Sequence, residues 1–412
     1  MRRANLLILA SAVAMLGWGT VLPYQYAYAA ETRGWGGMVG AGAASMFSVG
    51  ALLAAPLGGR LADRYHPALV AMTTRLLAAG AAVLLIFADR PATFLAAMAV
   101  FGFGLAGGSP AQSVLALRWA AGAGDRRRIF AWLSSGQALG MGIGSFIAGF
   151  LVHLDRPDGM LPSFVLAGAG FALSSLLIGI AARGVNDLTS TSTTTRELDA
   201  RPRQAWKLIL SSRPLLLVTV INVAIALAYH AQFESGLPAY GLTVLHISEQ
   251  TVGIAAAVNC LVIMALQMLV IRFSARRSPA TLLLVVGGIW VACWLVLGAA
   301  VRVPELSSAI FITTFGVFAF GETLFAPVLN PLVASLAPSK MVGMTLGLFT
   351  ACQTGATAVG PLLSGATLGA GMSWLYIAGN VMISLVAVVG SKLLGRALRD
   401  REPMTSAVPA VP

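Results

Sequence analysis

Runs of about 20 apolar residues, the length a helix needs to cross a bilayer core, recur along almost the whole of this 412-residue chain. Twelve can be drawn: 5–29, 37–59, 67–88, 92–117, 129–152, 161–183, 214–236, 251–271, 279–300, 307–336, 341–367 and 374–395. Lipid offers a backbone amide no hydrogen-bond partner, so each run is expected to be a helix. Only 10% of the residues are charged, against about a quarter in soluble domains. The expected fold class is an all-α membrane protein of twelve transmembrane helices.

The net charge of +12 raises the question of nucleic acid. Its distribution answers it. With the N-terminus placed in the cytoplasm, 22 of the 27 Lys and Arg fall at inner positions and 4 at outer ones (Arg33, Arg90, Arg156, Arg302), leaving Arg75 inside a span. This is the positive-inside bias, and it puts both termini in the cytoplasm. The basic excess is a topology signal, so no nucleic-acid partner is expected, and the chain is read as a multi-pass protein of the cell (plasma) membrane. The N-terminal run is too long for a signal peptide's apolar core and is read as the first span. Cys260, Cys293 and Cys352 are scattered in separate spans and make neither a metal-ligand spacing nor a disulfide framework.

A frame of Phe, any residue, Phe, Gly, five residues and Pro occurs twice, as FGFGLAGGSP (101–110) and FAFGETLFAP (318–327), 217 residues apart. Leu22-Pro23 repeats as Leu237-Pro238 at an offset of 215, and Gln137, Gly144 and Gly149 repeat as Gln353, Gly360 and Gly365 at 216. Offsets shared across three helices point to two pseudo-symmetric six-helix bundles of one design, in the same orientation about an axis along the membrane normal. The expected division is 1–183 for the first bundle, 184–213 for a polar Ser/Thr-rich cytoplasmic linker, 214–398 for the second bundle and 399–412 for a disordered tail.

This organisation resembles the major facilitator superfamily of secondary transporters. Between spans 2 and 3, GALLAAPLGGRLADR places Gly50, Gly59, Asp63 and Arg64 at the spacing of the first part of that family's gate motif. The resemblance implies close packing at the glycine and an inner-gate role for Asp63; the motif's later basic residues are replaced by His66, Pro67 and Ala68. Gly136, Gly140 and Gly144 share one face of span 5 and let another helix approach. They look like the fifth-helix motif of proton-coupled antiporters without its proline, which stands instead in span 11 as Gly360-Pro361. The stretch GETLFAPVLNPLVASLAP is similar to the tenth helix of drug-efflux-like members, whereas the arginine many members carry in helix 4 is missing.

The chain has three lysines, none preceded by glycine, and so no phosphate-binding loop. No cofactor or metal is expected; a proton gradient is the expected energy source. Glu322 lies roughly 22 Å down span 10 from its outer end, just past the midplane of a core about 30 Å thick. A carboxylate there is costly unless it is protonated, paired or facing water, which makes it the first proton-coupling candidate. His230 and Glu234 share a face of span 7 and are further candidates. Counting from the span ends separates His230 from Glu322 by roughly 16 Å, so no direct pair is expected. Arg75, near the inner end of span 3, is expected to snorkel or to support the gate.

Tyr24, Gln25, Gln112, Gln137, Tyr229, Gln232, Asn330 and Gln353 are candidates to contact cargo; the family resemblance, which lines the cavity with helices 1, 4, 7 and 10, favours Gln25, Gln112, Gln232 and Asn330 among the polar positions. The expected function is proton-coupled export of a small hydrophobic or drug-like molecule by alternating access, with import or facilitated passage of a sugar or other metabolite as the alternative. The expected partners are the lipid bilayer, protons and small-molecule cargo, and the chain is read as a monomer. No HExxH pair or nucleophile-base arrangement argues for an enzyme.

Overall fold

A computed structural model of the chain describes residues 2–120, 123–183, 207, 209–274, 277–338 and 341–400. In the first half, α1 comprises Arg2–Val21, Gln25–Ala27 and the π-turn Tyr28–Thr32; α2 is Gly37–Arg64 and α3 is Pro67–Ile86. α4 joins Pro91–Gly107 to Ser109–Arg118; α5 is Ala123–Leu151 and α6 is Leu161–Ala182. In the second half, α7 joins Arg213–Ile225, the π-turns Ala226–His230 and Gln232–Gly236, and Leu237–Thr243. It is followed by α8 (Glu249–Ser274), α9 (Pro279–Ala300), α10 (Ser307–Leu336), α11 (Val342–Leu368) and α12 (Ser373–Arg399). The expected linker and tail lie almost wholly outside the described residues.

Local sequence sets several of these starts. Pro67, Pro91 and Pro279 open α3, α4 and α9, where a missing N–H costs nothing. Ser278 accepts from the Thr281 N–H at 3.2 Å and caps α9.

Among the described residues, eleven helical segments are long and apolar enough to cross a membrane. The twelfth, α5, is diluted by Ser134, Ser135, Gly136, Gln137, Gly140, Gly142, Gly144 and Ser145. Those same residues seat it against α1. Gln137 Nε2 donates to Ser11 Oγ at 2.8 Å. A Cβ on Gly140 would run into the Ala12 carbonyl, one on Gly144 into that of Leu16, and one on Gly136 would stand 3.3 Å from Ile8 Cγ2. Hydrophobicity gives no drive between helices in lipid, so close approach and inter-helix hydrogen bonds take its place.

The two halves repeat one packing scheme. α1 lies on α5 and α6, α2 on α4, and α3 on α4 and α6; α7 lies on α11 and α12, α8 on α10, and α9 on α10 and α12. The seam between halves is made by α2 on α11 and α5 on α8. The repeated Phe-Gly frame serves this packing in both halves. A Cβ on Gly104 would lie 2.5 Å from the Ala78 amide nitrogen of α3, and one on Gly321 would lie 2.5 Å from Trp290 Nε1 of α9.

The repeated prolines stand at matching places, where α1 is interrupted and α7 changes its winding. Pro23 has no N–H for the Gly19 carbonyl; Ser145 Oγ of α5 supplies that bond at 3.0 Å. Pro238 likewise leaves the Glu234 carbonyl open, and Gln25 Nε2 of α1 donates to it across the two halves at 3.0 Å. At this end, away from the Lys and Arg clusters, the halves are sealed. Tyr24 OH donates to the Glu249 carbonyl at 2.8 Å, and a Cβ on Gly37 would stand 2.6 Å from Gly369 Cα. Arg33 pairs with Asp89 at 3.2 Å over the same face.

Arg75 does not snorkel. It is 4% exposed, donates to Gln112 Oε1 at 3.2 Å and to the Leu105 carbonyl at 3.4 Å, and lies 5.7 Å from the Phe171 ring centre. Its acceptors flank the interruption of α4 at Gly108, so the guanidinium spans the break. An interior carbonyl and amide outcompete the membrane surface because α4 loses its regular ladder there.

Gly140→Ala and Gly355→Ala separate crowding from propensity. Alanine in a helix is intrinsically better than glycine by about 0.5–1 kcal/mol, and nothing lies within 4 Å of a Cβ at 355. Thermal unfolding in detergent is expected to show a lower midpoint for Gly140→Ala alone, because overpacking costs about 1–3 kcal/mol. Equal midpoints would dismiss the α1–α5 contact as a packing constraint.

Candidate functional site

The two consecutive π-turns of α7 widen its middle, as such turns often do at functional positions. Carbonyls released there are taken up locally: Gln232 Nε2 donates to Leu227 O at 2.9 Å and Trp294 Nε1 to Ala228 O at 3.2 Å. One wall of this segment carries Tyr229, His230, Phe233 and Glu234, which line a cavity of about 180 Å³. Trp18 and Leu22 of α1 and Met141 of α5 close it from the first half. Asn259 and Ile263 of α8 and Glu322 of α10 complete it from the second.

A directed hydrogen-bond chain crosses this wall. Asn259 Nδ2 donates to Tyr229 OH at 2.7 Å and to the Phe315 carbonyl at 3.0 Å, and Tyr229 OH donates to Glu322 Oε2 at 2.9 Å. The Tyr229 ring packs against both Trp290 and Phe318, with centroids 4.9 and 5.1 Å away. The repeated frame therefore supplies both the stacking partner, Phe318, and, one turn on, the carboxylate that Tyr229 addresses. His230 packs beside Tyr229 and Phe325, and its Nε2 is buried without a partner among the described residues.

Neither Glu234 nor Glu322 forms an ion pair with a described residue, and no Lys or Arg lines the cavity. Two carboxylates and an imidazole without a fixed cation can hold protons or a cationic group, and can exchange them when water enters.

The expected 16 Å separation of His230 from Glu322 is not what the fold makes. α7 runs on past Pro238 to Thr243, seven residues beyond the expected end at 236. His230 therefore stands near the middle of its helix, as Glu322 does in Ser307–Leu336, and the two face one cavity. The apolar run was read as ending at Ser235-Gly236, where the helix only changes its winding.

A sequence profile described as Major Facilitator Superfamily matches residues 7–321 and 244–410. The chain belongs to this superfamily. No curated protein sequence matches it significantly. Among solved structures, the nucleoside transporter NupG is similar with a TM-score of 0.76 at 14% identity, over 97% of this chain and 99% of that one. A bacterial homolog of the human lysosomal transporter Spinster, inward-facing and unoccupied, gives 0.75 at 13% over 97% and 98%. The peptide transporter POT in complex with sulfate gives 0.74 at 16% over 97% and 94%. At such identities the likeness is one of fold.

Of the other cargo candidates of this superfamily member, Tyr24, Gln25, Gln112, Gln137, Gln232 and Gln353 do not line the cavity. Tyr24 and Gln25 tie the sealed end together, Gln112 holds Arg75, and Gln137 holds Ser11. Gln232 Oε1 accepts from Ser364 Oγ at 2.6 Å and from Tyr376 OH at 3.0 Å, which fastens α7 to α11 and α12. Gln353 is half-buried on α11, and Asn330 lies within the last two turns of α10. Gln25, Gln112 and Gln232 answer groups beside irregular stretches of helix, a demand invisible in a linear pattern.

In the gate motif, a Cβ on Gly50 would strike the Ala99 carbonyl, and one on Gly58, the neighbour of Gly59, would strike that of Gly107. Gly59 and Asp63 fall in the last turns of α2, and Arg64 at its end lies 5.9 Å from the Tyr65 ring centre. A Cβ on Gly360 would collide with Ala231, so Gly360-Pro361 is where α11 meets the π-turns of α7.

Sequence reasoning passed over Trp18, Met141 and Asn259 as site residues. Asn259 is the legible one, an amide amid GIAAAVNCLVIMAL, but it lies outside helices 1, 4, 7 and 10, which the family resemblance favours.

Removing the phenol should be visible at the carboxyl group itself. In infrared difference spectra, the Glu322 carbonyl stretch, assigned by its loss in Glu322→Gln, is expected to move in Tyr229→Phe and to stay in place in Tyr240→Phe. A stationary band in Tyr229→Phe would break the chain drawn above.

Proposed function

We propose that this member of the superfamily exports small hydrophobic or drug-like molecules in exchange for protons, by alternating access of a cavity shared between its halves. The observation that carries the reading is Glu322: a carboxylate at mid-membrane depth on the wall of that cavity, hydrogen-bonded by Tyr229 and unpaired with any described cation. Trp18, Tyr229 and Phe233 give the cavity aromatic walls, suited to flat apolar cargo rather than to phosphorylated metabolites, which want several basic groups.

In this reading, protons taken up by Glu322, with His230 and Glu234 as neighbours, are released on the other side when the cavity turns. In the same reading the protein sits in the plasma membrane with both termini in the cytoplasm, an orientation that the positive-inside count supports. The sealed end is then the outer one, and the chain works as a monomer. A second reading, uptake of a polar metabolite, is favoured by two similar folds, a nucleoside transporter and a peptide transporter.

The test is accumulation of lipophilic dyes and drugs in an efflux-deficient bacterium, with and without a protonophore. Wild type is expected to lower accumulation only when energised, and Glu322→Gln to accumulate like cells without the protein at equal membrane level. If the substitution leaves energised efflux intact, Glu322 is not the coupling group. If no compound is expelled while labelled nucleosides or peptides enter, uptake replaces export.

A further inference from the structure

A cleft of about 540 Å³ opens between α1, α5 and α8 at the basic end. Ile8 and Ala12 form its floor, Trp119 and Trp132 its sides, and Met264 reaches in from the opposite half. It continues into an apolar groove of about 180 Å³ between α5 and α8, with Leu139 and Met264 common to both. The groove runs past Gly142, where an added Cβ would stand 2.8 Å from Cys260 Cβ. At the mouth are Asn5 and Arg128. Arg128 has no ion pair or hydrogen bond among the described residues, and the Trp119 indole N–H is buried there without a described partner.

We propose that this cleft binds an anionic phospholipid of the cytoplasmic leaflet, its phosphate at Arg128 and one acyl chain in the groove. Arginine's planar fork suits phosphate oxygens, and Asn5 and the Trp119 N–H supply further donors at the same level. Arg126 and Arg127 precede Arg128 in sequence, and such basic clusters at the inner surface attract anionic lipids. Tryptophans at the mouth fit the headgroup boundary.

The dimensions agree. Leu139 lies eleven residues after Arg128 on α5, roughly 16 Å at the helical rise, about half of a core near 30 Å thick. The wall beyond Arg128 carries only apolar side chains, Ser135 and glycines. The chain's own 184–206 segment, rich in Ser, Thr and charges of both signs, does not match it. The central cavity uses other faces of the same helices, Met141 rather than Gly142 on α5, and Asn259 and Ile263 rather than Cys260 and Met264 on α8. The lipid site is thus separate from the transport site. Because α5 and α8 belong to opposite halves, the lipid is a ligand of the arrangement in which their seam is parted at this end.

The full chain in nanodiscs, doped with phosphatidylglycerol or phosphatidylcholine carrying a photoactivatable acyl chain, tests this by peptide mass spectrometry. Phosphatidylglycerol is expected to label residues 128–143 and 257–264 several-fold more than phosphatidylcholine. Arg128→Gln should bring it down to the phosphatidylcholine level, and Leu139→Trp, which fills the groove, should suppress both. Labelling that ignores headgroup charge or survives Arg128→Gln overturns the assignment. So does labelling displaced by a transported dye but indifferent to the headgroup, which would make the cleft a cargo path.

Discussion

In hydrocarbon every backbone N–H and C=O must find its partner inside the protein, and the irregular parts of this fold follow from that rule. Two prolines at equivalent places in α1 and α7 remove the donors for Gly19 and Glu234. The carbonyls are answered by Ser145 and Gln25, one on α5 and one on α1. The second of these bonds joins the two halves. The two prolines therefore come with the polar side chains that answer the carbonyls they leave open. The π-turns of α7 work the same way, drawing in Gln232 and Trp294.

The duplicated frame shows how one packing solution carries two electrostatic outcomes. Gly104 and Gly321 let α4 and α10 lie close on α3 and α9. The residue after each glycine then differs. In the first half it is Leu105, whose carbonyl takes the buried Arg75, while Gln112 takes the other side of the guanidinium. In the second it is Glu322, addressed by Tyr229 and open to the cavity. The cation of one half is enclosed among neutral acceptors that brace a broken helix. The carboxylate of the other has a single described donor and a void beside it. A charge held by several fixed dipoles is structural; a charge with one donor and room beside it is free to exchange.

Much of this architecture was legible in advance because membrane folding leaves few choices. Apolar runs, offsets of 215 to 217 residues and the spread of Arg and Lys gave twelve helices in two alike halves. The three titratable candidates, Glu322, His230 and Glu234, do meet at one cavity. Depth was misjudged where an apolar run stopped before its helix did, at Ser235-Gly236. Polar residues are hard to assign from the pattern because a buried amide has two uses, and Gln112, Gln137 and Gln232 bond to neighbouring helices.

By itself the sequence determined the fold class, the repeat and the position of the lone carboxylate in the Phe-Gly frame, since hydropathy and period are local properties that lipid converts directly into helices. The tertiary structure alone decided which buried polar groups face the void and which face each other. That choice depends on the rotation of each helix about its axis and on where its winding changes. Both are set by contacts between helices far apart in the chain, as the packing of Tyr229 against Trp290 and Phe318 shows.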